Sequence, residues 1–309
     1  MDEPYPGVRR LTFRLPLGID HVHCYLLRAS DGSWTLVDTG LGADDPAAVW
    51  EPVLAELDAP VRRIVITHMH PDHVGGARDA AAVTGAPVLQ GREDYEQCVR
   101  AWGQKRTPGG LAAFMVRHGM PPEQVEESLG ESAKLRSRVH WVEGPELLEP
   151  GEEVDGWRVE LLRGHADGHI VLLRDGVMVA GDVLLGQITP AIGLYPGGRP
   201  DPLGDYLETL RRIGELAPRL ALPGHHGVIE DPVGRAREIA EHHRLRLDAA
   251  AAALDGEPRT AYDVSLRLFE SKLSPAQRRF ALAESLAHLE RLVYAGRAGR
   301  ADGGGYVAA

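Results

Sequence analysis

Between positions 68 and 73 the chain reads His68-Met69-His70-Pro71-Asp72-His73, four candidate metal-ligating side chains in six residues. Imidazole and carboxylate are donors that zinc, iron and manganese accept. The run follows RRIVITH, a buried-strand pattern, and precedes a helix opening on Val74-Gly75-Gly76. A strand-to-helix loop lets such side chains converge on a small volume, and the glycines let the helix start close to it. Three further candidates stand at expected strand ends: His165 in LRGH, Asp182 in AGD and His225 in LPGH. Strand ends along one edge of a sheet share a rim, so residues distant in sequence can meet there. Taken singly, a strand-end histidine reads as a hydrogen-bonded surface group and Gly-Asp as a turn. Their joint order carries the metal reading.

The elements that must position these residues follow from local pattern. VRRLTFRLP, HCYLLRA and WTLVD are β-rich runs punctuated by Ser30-Asp31-Gly32 and Asp38-Thr39-Gly40. PAAVWEPVLAELD has helical spacing, HVGGARDAAAVTG reads as one helix closed by Gly85, and PVLQ is a short strand. From about 92 to 137 short helices follow one another without a β-pattern, as expected of a helical insertion. Strands are expected again at RVHWV, WRVELLR, IVLLR, VMVAGD and RLALP, the last two separated by a Gly/Pro-rich loop and the helix LGDYLETLRRIGELA. After Pro232 come three helices rich in Ala, Arg, Leu and Glu, then a glycine-rich end. Three helices and a short β-wing are the order of a winged-helix unit. The division is therefore 1–231 for the catalytic domain and 232–309 for a winged-helix-like domain.

Composition bounds the partners. The 309 residues carry 34 basic and 45 acidic side chains, a formal charge of -11, which disfavours nucleic acid as a ligand without removing a local basic patch. Two cysteines, Cys24 and Cys98, cannot build a disulfide framework or a four-thiolate metal site. No apolar run approaches the ~18 residues of a membrane span, and the acidic start MDEPYPGVRR is no secretory signal. A cytoplasmic protein acting on a small molecule, as a monomer or homodimer, is expected.

The motifs together resemble the metallo-β-lactamase superfamily of metallo-hydrolases. THMHPDHVGG is similar to its signature, and LVDTG, RGHADGH, AGD and PGHHG match its other motifs in order over about residues 8–230. The resemblance implies an α/β fold, an αββα sandwich with two divalent metal ions at the sheet edge, zinc first, with iron or manganese as alternatives. By resemblance His68, His70 and His165 hold one ion; Asp72, His73 and His225 hold the other; Asp182 bridges them. Asp38 in LVDTG would order the ligand loop through hydrogen bonds. His169 would support or pack rather than ligate. Two departures stand out. Ala166-Asp167 replaces the usual Thr-Pro and adds a carboxylate. His226 replaces a common glycine and is a competing ligand only in second place.

Two such ions, about 3.5–4 Å apart, share a solvent molecule and lower its pKa toward roughly 7, so no Ser or Cys nucleophile is needed. Asp72 and Asp182 are the expected catalytic carboxylates, with Asp72 orienting the hydroxide. The loop Ile188–Tyr195 follows the Asp182 strand, and Thr189 and Tyr195 are its candidate substrate contacts. Tyr95, Trp102, Leu111, Phe114, Met115, Val116 and Met120 would each pack onto the sandwich or, as the functional reading, form a partly apolar lid over a substrate with a hydrophobic portion. A thioester or ester of a small acyl group fits these features. The C-terminal tail resembles that of the β-lactamase-like-protein-2 branch, whose members include endoribonucleases and whose relatives include thioesterases for carrier-bound polyketides. A single-strand endoribonuclease is therefore the alternative, resting on Arg278, Arg279, Arg291, Arg297 and Arg300 as phosphate contacts. A non-catalytic interaction protein on the same scaffold is the reading from another class.

Overall fold

A computed structural model describes residues 1–16, 18–103, 109–270 and 272–309. The chain forms β1 (Asp2–Tyr5), β2 (Val8–Arg14), β3 (His21–Arg28), β4 (Trp34–Val37), α1 (Pro46–Ala55), β5 (Val61–Ile66), α2 (Pro71–Val74), α3 (Ala77–Thr84) and β6 (Val88–Gly91). The segment read as an insertion gives α4 (Arg92–Trp102), α5 (Gly109–Arg117) and α6 (Pro122–Arg136). Then come β7 (Glu146–Leu148), β8 (Glu153–Val154), β9 (Trp157–Leu161), β10 (Ile170–Arg174), β11 (Val177–Gly181), α7 (Pro202–Leu216) and β12 (Leu220–Pro223). The chain closes with α8 (Pro232–Ala252), α9 (Ala261–Leu268), α10 (Pro275–Tyr294) and the hairpin β13 (Ala298–Arg300) and β14 (Tyr306–Ala308).

Strands β1 to β7 form one sheet in sequence order, and β12-β11-β10-β9-β8 form the second. Alternation within each strand divides its side chains between two cores. Tyr25, Leu27, Val37 and Val65 meet Val159, Leu172, Val179 and Leu222 between the sheets. Cys24, Leu26, Leu36, Ile64 and Ile66 face the outer layer with Trp50, Val74, Ala77 and Ala80. Val171, Met178 and Ala180 face Leu203, Tyr206 and Ile213 of α7 and Ile239 of α8. With both faces covered, central strands need near-continuous apolar runs, as IVI and VMVA supply. The result is the expected helix, sheet, sheet, helix layering.

Polar residues at the helix starts accept from the first free backbone N–H groups. Asp45, Asp201 and Asp231 each cap a helix that begins with proline, and Ser274 and Thr260 form capping boxes with Gln277 and Asp263.

Three expectations need correction. RVHWV at 138–142 is no strand. Its backbone bonds go to the ligand-loop side instead: His140 N donates to Gly75 O at 2.6 Å and His140 O accepts from Arg78 N at 2.8 Å. HVGGARDAAAVTG is two helices, because Gly75 and Gly76 use their backbone on neighbouring loops. Gly76 N donates to Gly40 O, and a Cβ on Gly76 would lie 2.6 Å from Thr39 O. The insertion is not simply a lid. Met115, Met120 and Val125 are buried against Leu282, Leu286 and Leu289 of α10, so α5 and α6 pack on the C-terminal helices.

Candidate metal centre

Five strand ends deliver the candidate residues to one edge. Asp38 follows β4, Thr67 and His68 follow β5, His165 follows β9, Asp182 follows β11 and His225 follows β12. Parallel pairing of β4 with β5 and of β11 with β12 puts those ends on the same side. His70 caps α2, which carries Asp72 and His73 in its single turn.

The side chains converge. His70 Nδ1 lies 3.1 Å from His68 Nε2 and 2.8 Å from His165 Nε2. His73 Nε2 is 3.4 Å from Asp182 Oδ1, and His225 Nε2 is 3.2 Å from Asp182 Oδ2 and 3.4 Å from Asp72 Oδ2. Asp182 Oδ2 also lies 3.6 Å from His165 Nε2. Three sets could hold an ion, each with donor atoms within 4.8 Å of one another: His68, His70 and His165; His68, His73 and Asp182; Asp72, His73 and His225. All seven expected ligands fall in these sets. Gly224 makes room for them, since a Cβ there would lie 2.5 Å from Asp182 Oδ1 and 2.6 Å from His73 Cε1.

Outer hydrogen bonds aim the rings. His73 Nδ1 donates to Asp38 Oδ2 at 2.7 Å, His225 Nδ1 to His21 O at 2.6 Å and His165 Nδ1 to Ala191 O at 3.0 Å. Thr67 Oγ1 donates to Asp38 Oδ2 and accepts from His68 Nδ1 at 3.0 Å. Four rings thus spend the Nδ1 proton outward and turn Nε2 inward. Burial first, and neighbouring histidines second, push His68 well below the ordinary imidazole range; burial takes His70 down to about 3. Neutral rings then face one another with lone pairs about a hydrogen-bond length apart. A single shared proton relieves one such contact, whereas a cation relieves all of them. His73 Nε2 and Asp182 Oδ1 are moreover buried without a hydrogen-bond partner. The donor set fits divalent metal.

The set of Asp72, His73 and His225 carries charge. Burial opposes protonation of His73 and His225, but Asp182 and the carboxylates beside each ring outweigh it. His73 is held well above its ordinary range and His225 rises to about 10. Both rings therefore favour the protonated form before metal enters, and metal must displace that proton. Titrating zinc into chelator-treated protein at pH 7 is expected to release protons to an indicator dye, and apparent affinity is expected to climb with pH toward 10. Uptake without proton release would contradict this charge assignment.

His169 lies outside the three sets. Its ring stacks on His68 with centroids 4.5 Å apart, and its Nε2 accepts from Asp182 N at 3.1 Å. Asp38 accepts from Thr67 N at 2.8 Å as well as from His73 Nδ1, and so ties the end of β5 to α2. Asp167 points aside and accepts from Arg199 N at 3.2 Å. His226 adopts a left-handed φ of 65° and lies outside the three sets; its N donates to His21 Nε2 and its O accepts from His23 Nε2. Those two bonds hold a conformation that glycine would take freely. Thr189 is half-buried, and Tyr195 lines a small cavity with Phe114 and Met115 of α5 and Leu282 of α10.

Sequence reasoning left His21, His23 and Asp94 without roles. His21 and His23 sit on β3 beside the His225 turn. Asp94 is fully buried, accepts from Met69 N at 2.8 Å and is pushed up to about 8 by burial. Trp102 Nε1 donates to Met69 O at 2.9 Å, so both backbone groups between His68 and His70 are held from α4. Only the acidic start of α4 hints at this in sequence.

A model of the metallo-beta-lactamase superfamily matches residues 17–225. The chain belongs to that superfamily. A second model, described as metallo-beta-lactamase-like, C-terminal domain, matches residues 247–308. A metallo-beta-lactamase family protein from Thermus thermophilus shares 38% identity and superposes with a TM-score of 0.85 over 99% of each chain. A probable metallo-hydrolase of Bacillus subtilis is 28% identical over 90% of this chain and 89% of its own length. A beta-lactamase-like protein 2 homolog of Drosophila melanogaster is 27% identical over 78% of this chain and 74% of its own. An atrochrysone carboxyl ACP thioesterase of Aspergillus fumigatus is 24% identical over 78% of this chain, which spans 63% of the thioesterase. Each sheet contributes a parallel strand pair to the common edge, β4 with β5 in the first and β11 with β12 in the second. Among the described residues no helix is long and apolar enough to cross a membrane.

Proposed function

We propose that this chain is a metal-dependent hydrolase with two divalent ions, zinc first and iron or manganese as alternatives, acting on a thioester or ester of a small acyl group. In this reading residues 1–231 catalyse and 232–309 form a winged-helix-like appendage. The observation that carries the metal reading is the inward set of imidazole nitrogens, two of its contacts being 3.1 and 2.8 Å. When bound, such ions acidify a water and polarise the scissile carbonyl. His68, His70 and His165 would hold one ion, Asp72, His73 and His225 the other, with Asp182 between them.

The chain's own groups supply the rest. Burial resists ionisation of Asp72 and Asp182, but His73 and His225 overcome it and hold both carboxyls below their ordinary range. An ionised Asp72 accepts a hydrogen bond from the attacking water and turns a lone pair toward the carbonyl. Thr189 and Tyr195 would contact the acyl portion, since their loop touches His165 through Ala191 O. The thioesterase relative supports the acyl reading.

The endoribonuclease alternative is weakened at the tail. Arg278 donates to Ser265 O and Glu270 O, Arg291 to Asp201, Arg297 to Asp248 and Arg300 to Glu290, so these cations are engaged within the chain. The intact ligand set also disfavours a non-catalytic interaction protein. A panel of acyl-CoA and other acyl thioesters, run beside labelled single-stranded RNA, tests the ranking. Thioester cleavage that falls to background in His68→Ala, with RNA intact, is expected. RNA cleavage lost in the same variant, with the thioesters inert, would reverse it.

A further inference from the structure

The long connection between β11 and α7 has no ladder to satisfy its backbone, so its partners must come from elsewhere. At Leu185, Ile188 and Leu194 they come from the C-terminal helices. Arg235, in the first turn of α8, donates from Nε to Leu185 O at 2.8 Å and from Nη2 to Ile188 O at 3.0 Å. Its third arm, Nη1, pairs with Glu238 at 3.0 Å. Further along, Leu194 N donates to Ala283 O of α10 at 3.0 Å. Leu194 also packs against both the α7–α8 core and the core under α10. Between these two attachments lies Ala191, whose carbonyl accepts the Nδ1 proton of His165. Leu185 lies three residues beyond Asp182 and is 2% exposed.

We propose that the C-terminal helices brace the metal centre, with Arg235 as the positioning residue. One planar guanidinium grips two carbonyls of the connection in a fixed geometry, which a single ammonium cannot reproduce. The grip fixes the chain leaving Asp182, and together with the Leu194 bond it fixes the Ala191 carbonyl that aims His165. Loss of the grip lets that carbonyl wander, His165 rotates off its inward setting, and the ion loses a ligand. The brace rests on the metal reading above but concerns a group that touches no metal ligand.

The test uses the full chain as wild type, Arg235→Ala, Arg235→Lys and Glu238→Ala. Three readouts are taken: zinc affinity by chelator competition, the visible absorption of the cobalt-substituted protein, and hydrogen exchange at the Leu194 amide. In Arg235→Ala, affinity is expected to fall about tenfold, the lower end for lost outer partners of a metal ligand. The cobalt spectrum is expected to shift and Leu194 to exchange faster. Lysine should recover part of each effect, because it supplies a charge without the fork. Glu238→Ala should leave all three unchanged. An Arg235→Ala protein that melts like wild type and keeps its affinity, spectrum and exchange overturns the brace. If Arg235→Ala does not fold, Arg235→Lys carries the same comparison. If wild type takes up neither zinc nor cobalt, the metal reading falls by itself; exchange at Leu194 then decides whether Arg235 holds the connection, with unchanged exchange overturning the brace.

Discussion

Replacing Asp182 by alanine is expected to cut hydrolytic turnover about a thousandfold, the scale of losing one preorganised electrostatic contact in a buried site. Among the described residues, Asp182 is the carboxylate that pairs with rings from both proposed ligand groups. Its Oδ2 lies 3.2 Å from His225 Nε2 and 3.6 Å from His165 Nε2, and its Oδ1 lies 3.4 Å from His73 Nε2. Alanine leaves those cationic or metal-facing nitrogens with no anion between them, so bound metal per chain should fall as well. Asp182→Asn separates charge from shape: it keeps the volume and should lose nearly as much. The measurement is turnover on a cleaved acyl thioester together with metal content by elemental analysis. Equal turnover in wild type and Asp182→Ala at matched metal content would sink the bridging assignment.

The second large effect is expected from Asp38→Ala, and it works through other residues. Asp38 is 2% exposed and accepts three hydrogen bonds, from Thr67 N at 2.8 Å, Thr67 Oγ1 at 2.7 Å and His73 Nδ1 at 2.7 Å. Alanine strands these donors away from water, and it must also occupy a left-handed φ of 60°, which Asp and Asn tolerate better. Breaking such a buried charged contact costs ~3 kcal/mol or more. Metal affinity should fall about 10- to 100-fold, because His73 loses its orienting partner. Asp38→Asn keeps the backbone preference and part of the acceptance, so it should be intermediate in both. Urea unfolding and chelator competition check the two claims separately. A wild-type unfolding midpoint together with metal retained through dialysis would argue against the role.

Much of the centre was legible in the chain because ligand chemistry is written in residue type. Few side chains bind transition metals, and His68, His70, Asp72 and His73 stand nearly side by side. Asp182 and His225 were legible because each closes a near-continuous apolar run, the mark of a strand buried on both faces, and His165 because it closes the alternating run WRVEL. Local pattern failed where a segment's partners are remote. RVHWV has the composition of a strand, yet its backbone is used by Gly75 and Arg78 rather than by a sheet. HVGGARDAAAVTG has helical spacing, yet two glycines break it because neighbouring loops pass too close for a side chain. The apolar residues of α5 suggested a lid, but periodicity cannot say which surface they cover. Met115 and Met120 cover α10.

What the sequence by itself determined was the donor set, the family and the alternation that makes two sheets back to back. These depend on side-chain chemistry and short-range periodicity, which are properties of neighbouring residues. What only the tertiary structure decided was the direction in which each imidazole points. That direction is set by backbone carbonyls and carboxylates contributed by distant segments: His21 O for His225, Ala191 O for His165, Asp38 for His73. A carbonyl is the same group at every position in a chain, so nothing in residue type distinguishes the one that will accept a ligand's proton; only its place in space does.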